Sequence, residues 1–245
     1  MKERPSEPAD AELETRLSEL TRQLEDARLA LLERERTWIA VLDAEHARVA
    51  QLLHDTLSQS LTAARMFARV NRVGVPQAAE DSSLQVKALE DLLEGTAREC
   101  QDLTRWLAPA RIEGANLIEV MAELAQLTSR TRPCEFHYSE GAIDAEPAAQ
   151  VELLRIAQLA LHALVAQRQG ADTKLQLQLR CDEQTLIVEI ETVESELPDF
   201  IEALLAMRAR VLHGSFTVER FGEGRSTLSC RLPKHSSATD LQRRC

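Results

Sequence analysis

The chain has 245 residues, of which 44% are hydrophobic but only 3% are aromatic, and it carries a net charge of −11. The length suits two modest domains with a helical extension. The negative charge disfavours a nucleic-acid backbone or an anionic membrane as a partner, because both would repel it. The chain has no uninterrupted apolar run of about 18 residues and no basic-then-apolar N-terminus, so we expect a soluble, cytoplasmic protein. Five scattered cysteines without a CxxC pair predict free thiols.

A long helix is predicted from about Asp10, after a disordered tail at residues 1–9. Apolar residues recur along it in four- and three-residue steps, at Leu13, Leu17, Leu20, Leu24, Ala27 and Leu31, and again at Trp38 and Val41. So narrow a stripe, flanked by Glu, Arg and Gln, suits a single partner helix rather than a globular core. Residues 10–48 are therefore predicted to form a dimeric coiled coil.

The helix meets no proline or glycine before Gly74 and Pro76. Residues 73–83 are predicted as a turn in which Asp81 or Ser82 caps a second helix. That helix runs from Leu84 to about residue 107 and carries its own apolar stripe. Since two such helices cannot bury both stripes alone, residues 49–110 are predicted to form a four-helix bundle in a homodimer.

After Pro109 the sequence changes to a mixture of helices and strands. Helices are predicted at residues 115–130, 148–169 and 198–212, and strands at 134–138, 173–180, 185–190, 215–220 and 227–232, with residues 181–184 as a hairpin turn. Strands grouped in hairpins between helices predict a mixed sheet covered by helices on one face. The predicted fold class is α+β, with an α/β sandwich at residues 111–233 and a flexible tail at 234–245.

The candidate chemistry lies on the long helix, at His54, Asp55 and Gln59. Imidazole is a natural nucleophile for a phosphoryl group near neutral pH. An adjacent carboxylate can accept or orient the ring proton, and an amide one turn away can position a water. A lone His-Asp pair on a helix is more often a solvated surface pair, so the wider context decides.

That context is a series of motifs in a fixed order. They are His54-Asp-x-Leu-x-Gln-x-Leu with Arg48 before it and Thr62-Ala-Ala after it, the segment Leu103 to Pro109 with Ile112, Gly114 and Leu117, the helix Leu154 to Ala163, the helix Ala206 to Gly214, the hairpin Gly222-Glu-Gly224, and the closing Arg231-Leu-Pro233. In this order they resemble the H-box, the linker, the N-box helix, the helix of the second glycine box and the last glycine box of sensor histidine kinases of the NarL-partner group. The resemblance covers roughly residues 40–233. It implies a phosphoacceptor bundle followed by an ATP-binding domain, with a response-regulator receiver domain as partner.

Several positions that bind ATP in that family carry other residues here. The glutamate and asparagine of the N-box fall on Leu159 and Ala163 (on His162 if the alignment slips by one residue). The adenine-binding aspartate falls on Thr192, and the glycine positions are occupied by Glu194, Glu196 and Ala203. Leu159 and Ala163 offer no oxygen to Mg²⁺, and glutamates would repel a triphosphate. We therefore expect a degenerate ATPase-like domain with no cofactor or metal of its own.

Three functions are open at this point. In the first, His54 accepts a phosphoryl group from a phosphorylated receiver or an active histidine kinase and passes it to a receiver aspartate, with Mg²⁺ supplied by the receiver. In the second, Asp55 and Gln59, which match the Asp-x-x-x-Gln arrangement of phosphatase relatives, orient water to dephosphorylate a receiver. In the third, the chain is a non-catalytic pseudokinase that heterodimerises with a true kinase.

Overall fold

The computed structural model describes residues 7–74, 80–108, 112, 116–139, 143–167, 173–193 and 197–235. Its elements, in chain order, are helix α1 (Glu7–Leu52), a π-helical turn (Leu53–Ser58), helices α2 (Gln59–Gly74), α3 (Glu80–Leu107) and α4 (Leu117–Ser129), strand β1 (Cys134–Tyr138), helix α5 (Pro147–Ala166), strands β2 (Leu175–Cys181) and β3 (Thr185–Val193), helix α6 (Asp199–Val211), strand β4 (Ser215–Arg220), a 3₁₀ turn (Gly222–Gly224) and strand β5 (Arg225–Pro233). The fold is α+β, as predicted, with a long N-terminal helix ahead of a five-stranded sheet.

The N-terminal helices follow the predicted pattern, with corrected ends. Helix α1 already begins at Glu7, inside the predicted tail, and α2 and α3 pack on each other as a helical hairpin. Asp81 and Ser82, predicted as caps, lie inside α3, because that helix begins at Glu80. Residues 75–79 of the predicted turn lie outside the described residues.

The apolar stripe of α1 is uncovered in a single chain. Its residues Leu13, Leu17, Leu20, Leu24, Leu31, Trp38 and Val41 are each more than half exposed. A continuous exposed apolar stripe usually marks an interaction surface. The dimeric coiled coil thus stays a prediction, and this stripe is the surface that it would use.

The sheet is mixed, as predicted, with the strand order β1-β2-β3-β5-β4. Strand β1 runs parallel to β2, and the other three pairs are antiparallel. Alternate residues of β2, β3 and β5 are buried, and α4, α5 and α6 pack against the strands. Cys181 belongs to β2, so the hairpin turn is shorter than predicted. The Asp182 side chain closes it by accepting hydrogen bonds from the backbone of Gln184 (2.9 Å) and Thr185 (2.6 Å).

Helix α5 is the central helix of the layer that covers the sheet. It is the one helix among the described residues that is long and apolar enough to cross a membrane, but 56% of that window is buried inside the protein. Its buried side chains, among them Leu153, Ile156, Leu161 and Leu164, belong to the core shared with the sheet. The packing of α5 in the core therefore explains its apolar composition. The predicted end at residues 168–169 lies outside the described residues, and the helix itself ends at Ala166.

Two buried polar side chains of α5 hold the end of α3. Gln158 donates to the carbonyls of Arg105 (2.8 Å) and Trp106 (2.9 Å), and Arg155 donates to the carbonyl of Ala108 (3.1 Å). The last carbonyls of a helix have no partner within the helix, and a cation there also complements the helix dipole. The helical hairpin is therefore fastened to the sheet layer by its own C-terminal end.

Helix α1 is fastened to the same layer by charges. Asp43 forms ion pairs with Arg208 of α6 and with Arg155 of α5 (3.4 Å), and Arg208 also binds Glu152 at 2.7 Å. Both arginine side chains are almost fully buried. We call this group of four residues the clamp. The clamp could not be predicted from the sequence, because Asp43 is more than a hundred residues away from the other three members.

Candidate functional site

His54 and Asp55 lie in the π-helical turn that interrupts the long helix. Such turns use i→i+5 hydrogen bonds, are rare, and occur frequently at functional sites. The side chain of His54 is 66% exposed and that of Asp55 is 50% exposed. The candidate histidine is therefore open to a docking partner, on a stretch of helix with altered geometry that the sequence pattern did not predict.

Asp55 holds the ring of His54 from one side. The Nδ1 atom of His54 lies 3.1 Å from Oδ1 of Asp55, and the Gln51 amide donates to Oδ2 of Asp55 at 2.7 Å. The hydrogen bond from Gln51, followed by that from His54, lowers the pKa of Asp55. The carboxylate is thus charged near neutral pH and accepts the Nδ1 proton, which leaves Nε2 as the ring nitrogen that carries the free lone pair.

Gln59 is not joined to this pair. It is the first residue of α2, and its exposed side chain forms no hydrogen bond to the described part of the chain. The amide that contacts Asp55 belongs to Gln51, one turn earlier on α1. Sequence reasoning missed Gln51, although its i, i+4 spacing to Asp55 is the spacing that brings helical side chains together.

Three of the predicted ATP-box positions line one cavity. Leu159, Ala163 and Ala203 belong to the wall of a mainly apolar cavity of about 730 Å³ between α1, α3, α5 and α6. Thr192 lies elsewhere, buried on β3, where its hydroxyl is 3.2 Å from the guanidinium of Arg132. Glu194 and Glu196 lie outside the described residues. Among the described residues, no group of three or more His, Cys, Asp or Glu is arranged to hold a metal ion.

Two histidines form the polar side of this cavity. The ring of His162 stacks on Trp106 with 5.3 Å between the ring centres, and Nδ1 of His46 lies 2.9 Å from a guanidinium nitrogen of Arg155. Burial lowers the pKa of His46, and the charge of Arg155 lowers it further. Burial likewise lowers the pKa of His162, with smaller contributions from His46 and Arg155. Both rings are therefore neutral near neutral pH.

This pair predicts that the protein loses stability in mild acid. In the unfolded chain both histidines take up protons near the ordinary pKa of about 6.5, whereas the folded chain resists protonation. Their contribution is therefore fully present above that pH and is lost as the pH falls below it. Urea denaturation at pH 7.5, 6.5 and 5.5 should show the loss. The double variant His46→Gln, His162→Gln should lose less than the wild type between pH 7.5 and 5.5, and an unchanged pH dependence in that variant would contradict the assignment.

Comparison with known proteins bears on the segment that holds His54. Residues 45–111 match the family model HisKA_3, described as histidine kinase. The matched segment is similar to that family and contains His54, Asp55 and Gln59. Among curated proteins, none matches the chain significantly.

Several solved histidine kinase structures are similar to the chain at low sequence identity. The blue-light activated histidine kinase of Erythrobacter litoralis EL346 is 13% identical, with a TM-score of 0.44 over 76% of this chain and 61% of that protein. The chain thus spans less than two thirds of that kinase. The Acinetobacter baumannii histidine kinase AdeS is 12% identical, with a TM-score of 0.40 over 73% of this chain and 95% of that one. The catalytic domain of the histidine kinase ThkA is 12% identical, with a TM-score of 0.39 over 49% of this chain and 94% of that domain.

Proposed function

We propose that the chain is a two-component signalling protein that accepts a phosphoryl group on His54 from a partner and transfers it to a receiver aspartate, without ATP-dependent autophosphorylation of its own. The observation that carries the proposal is the exposure of the His54 side chain together with its contact to Asp55. Its side chain is 66% exposed, and its Nδ1 atom is held by a charged Asp55. The family match over residues 45–111 supports this use of the segment.

The chemistry requires little beyond this pair. The Nε2 lone pair attacks the phosphorus of a receiver aspartyl phosphate, the N–P bond forms, and the P–O bond to the aspartate breaks and returns its electrons to that carboxylate. The proton on Nδ1 stays on the ring, where Asp55 stabilises the positive charge of the phosphorylated imidazole. The reverse steps load a receiver. The receiver supplies Mg²⁺ and the acidic pocket, as phosphoryl transfer depends mainly on positioning and charge stabilisation.

The absence of autophosphorylation is proposed because the residues at the ATP-box positions do not fit ATP with Mg²⁺. Leu159 and Ala163 bring aliphatic carbon where the family has a glutamate and an asparagine, and both face the apolar cavity. The hydroxyl of Thr192 is already bonded to Arg132. Hard cations such as Mg²⁺ need oxygen ligands, and a triphosphate needs donors that these positions do not present.

Two phosphodonors test the proposal on the full chain. With radiolabelled ATP and Mg²⁺ we expect no label on the protein, whereas phosphoramidate, a small donor that needs no protein partner, should give an acid-labile phosphohistidine. The loaded protein, freed of donor, should then pass its phosphate to NarL-type receiver domains in the presence of Mg²⁺. Saturable ATP binding with autophosphorylation would refute the proposal that His54 receives its phosphoryl group only from a partner. Failure of every receiver tested to take phosphate from the loaded chain would refute the relay.

The second candidate is a phosphatase of a phosphorylated receiver, and the observation that favours it is the exposed Gln59. Its side chain forms no hydrogen bond within the described part of the chain, so it is available to orient water on a docked receiver. Gln59→Ala should then slow receiver dephosphorylation about 100-fold, as expected for loss of a water-positioning group. Phosphoryl acceptance by His54 should be unchanged. Gln126→Ala, which removes an exposed amide on α4, is the matched control, and equal rates for wild type and Gln59→Ala would exclude this activity.

A homodimer is part of the proposal. The exposed stripe of α1 and the exposed Leu57 at the π-helical turn offer apolar surface that a second chain would cover. The same surface would serve a non-catalytic pseudokinase that pairs with an active histidine kinase. Persistence of biological function in a His54→Ala, Gln59→Ala double variant would favour that third function.

A further inference from the structure

The cavity at the former ATP-box positions is complete within one chain. Its volume of about 730 Å³ falls within the range of small-molecule sites, about 300–1,000 Å³. Helices α1, α3, α5 and α6 all contribute to its wall, which includes His46, Trp106, Leu159, His162, Ala163 and Ala203. Phe200 is 72% exposed and therefore marks the mouth.

The wall selects against charged ligands. Among the described residues that line it, none is an aspartate, glutamate, lysine or arginine, and the polar side chains are His46, His162 and Gln167. Both imidazoles are neutral near neutral pH because burial lowers their pKa. A charged group would lose its hydration here without gaining an opposite charge. The wall therefore disfavours a triphosphate and favours an uncharged ligand.

The aromatic and polar side chains of the wall also favour a ligand of a particular shape. Trp106 and His162 are stacked with 29° between their planes, which forms a broad aromatic surface. A flat ring can pack on such a surface, and imidazole can donate or accept one hydrogen bond. Ala163, Ala166 and Ala203 are small side chains of the same wall and leave room for a ligand. Apolar volume with one or two placed polar groups is the usual composition of a small-molecule site.

We propose that this cavity binds an uncharged, mainly apolar organic molecule with a ring-sized body and one hydrogen-bonding group directed at an imidazole of the wall. Because the wall is shared by α1, α3, α5 and α6, the bound molecule would contact the long helix that carries His54 as well as the sheet layer. His46 precedes His54 by eight residues, about 12 Å along a helix. The ligand site does not depend on the proposed phosphoryl transfer and can be tested apart from it.

N-phenyl-1-naphthylamine, an uncharged two-ring fluorophore with one N–H group, is the probe. Titrated into the full chain, it should show saturable fluorescence enhancement with one site per chain. Ala163→Phe fills the cavity and should weaken binding at least tenfold. Ala148→Phe, which adds the same ring at an exposed position of the same helix, should leave binding unchanged.

A second variant separates filling from misfolding. Leu159→Glu keeps a side chain of similar length but brings a carboxylate into the wall, and it should also weaken binding at least tenfold. Thermal unfolding followed by circular dichroism shows which variants are folded, and the cavity assignment is judged on the folded ones. Non-saturable uptake of the probe, or equal affinity in wild type, Ala163→Phe and Leu159→Glu, would overturn the proposal. Displacement of the probe by ATP with Mg²⁺ would also overturn it, because it would show that the cavity still accepts a nucleotide.

Discussion

Replacing His54 by alanine is expected to reduce phosphorylation by phosphoramidate about 100-fold or more, because the variant lacks the nucleophilic nitrogen. Label should also fail to reach the chain from any phosphorylated receiver domain. Circular dichroism should remain that of the wild type, since the His54 side chain is mostly exposed and its hydrogen bond is to its sequence neighbour. The measurement is acid-labile phosphate per chain after a fixed time with each donor.

The chain supplies a matched control for this experiment on β1. His137 is 57% exposed, and its Nε2 atom lies 3.6 Å from a carboxylate oxygen of Glu135, so it is a second exposed pair of histidine and acid. His137→Ala should accept phosphate as the wild type does. Asp55→Asn should keep the nucleophile but lose the charge that holds the Nδ1 proton, so we expect a rate about 10- to 100-fold lower. Undiminished labelling of His54→Ala, or equal losses of label in His54→Ala and His137→Ala, would contradict the assignment of His54 as the phosphoryl acceptor.

The elements that repeat a pattern could be predicted from the sequence. The alternation of Leu175, Leu177 and Leu179 with glutamines predicted β2, and the heptad-like stripe predicted α1, because these periods reflect one covered face. The π-helical turn could not be predicted, since Leu53 to Ser58 reads as ordinary helix and the departure lies in backbone hydrogen bonds. The histidine itself was found through its neighbours in sequence, while Gln51 was missed because no motif included it.

The clamp is a second feature that could not be predicted from the sequence. Arg155 and Arg208 stand in segments that resemble family motifs, yet on sequence alone each is a charged residue expected at the surface. Both are buried because Asp43, more than a hundred residues earlier, lies against α5 and α6 and supplies the opposite charge. Pairings at this separation follow from how α1 docks on the sheet layer. No local period carries that information.

The docking of α1 has a consequence for His54. Asp43 and His46 are held by Arg208 and Arg155, so the part of α1 that precedes the π-helical turn is fixed to α5 and α6. The turn that follows is exposed, with His54 facing solvent. In this arrangement the sheet layer supports the helix that leads to His54.

Breaking the clamp should have the largest effect on stability. The guanidinium of Arg208 is 1% exposed and pairs with Glu152 and Asp43. Burial opposes the charge of Arg208, but Glu152 and Asp43 outweigh it, so the pKa of Arg208 is raised. Burial also raises the pKa of Glu152, and the charge of Arg208 opposes that rise. Arg208→Ala leaves a buried carboxylate without its partner and should lower the free energy of unfolding by about 3–5 kcal/mol.

Urea denaturation of the full chain measures this loss, and the surface pair of Arg220 with Glu202 serves as the control. That pair has a similar distance of 2.9 Å, but its side chains are 46% and 33% exposed. Arg220→Ala should therefore cost less than about 1 kcal/mol. Arg208→Lys should fall between the two, because one ammonium group cannot reproduce the forked contact with two carboxylates. If Arg208→Ala lowered the free energy of unfolding no more than Arg220→Ala does, the clamp would not hold α1 to the sheet layer. Backbone hydrogen exchange along residues 35–46 would then be as fast in the wild type as in Arg208→Ala.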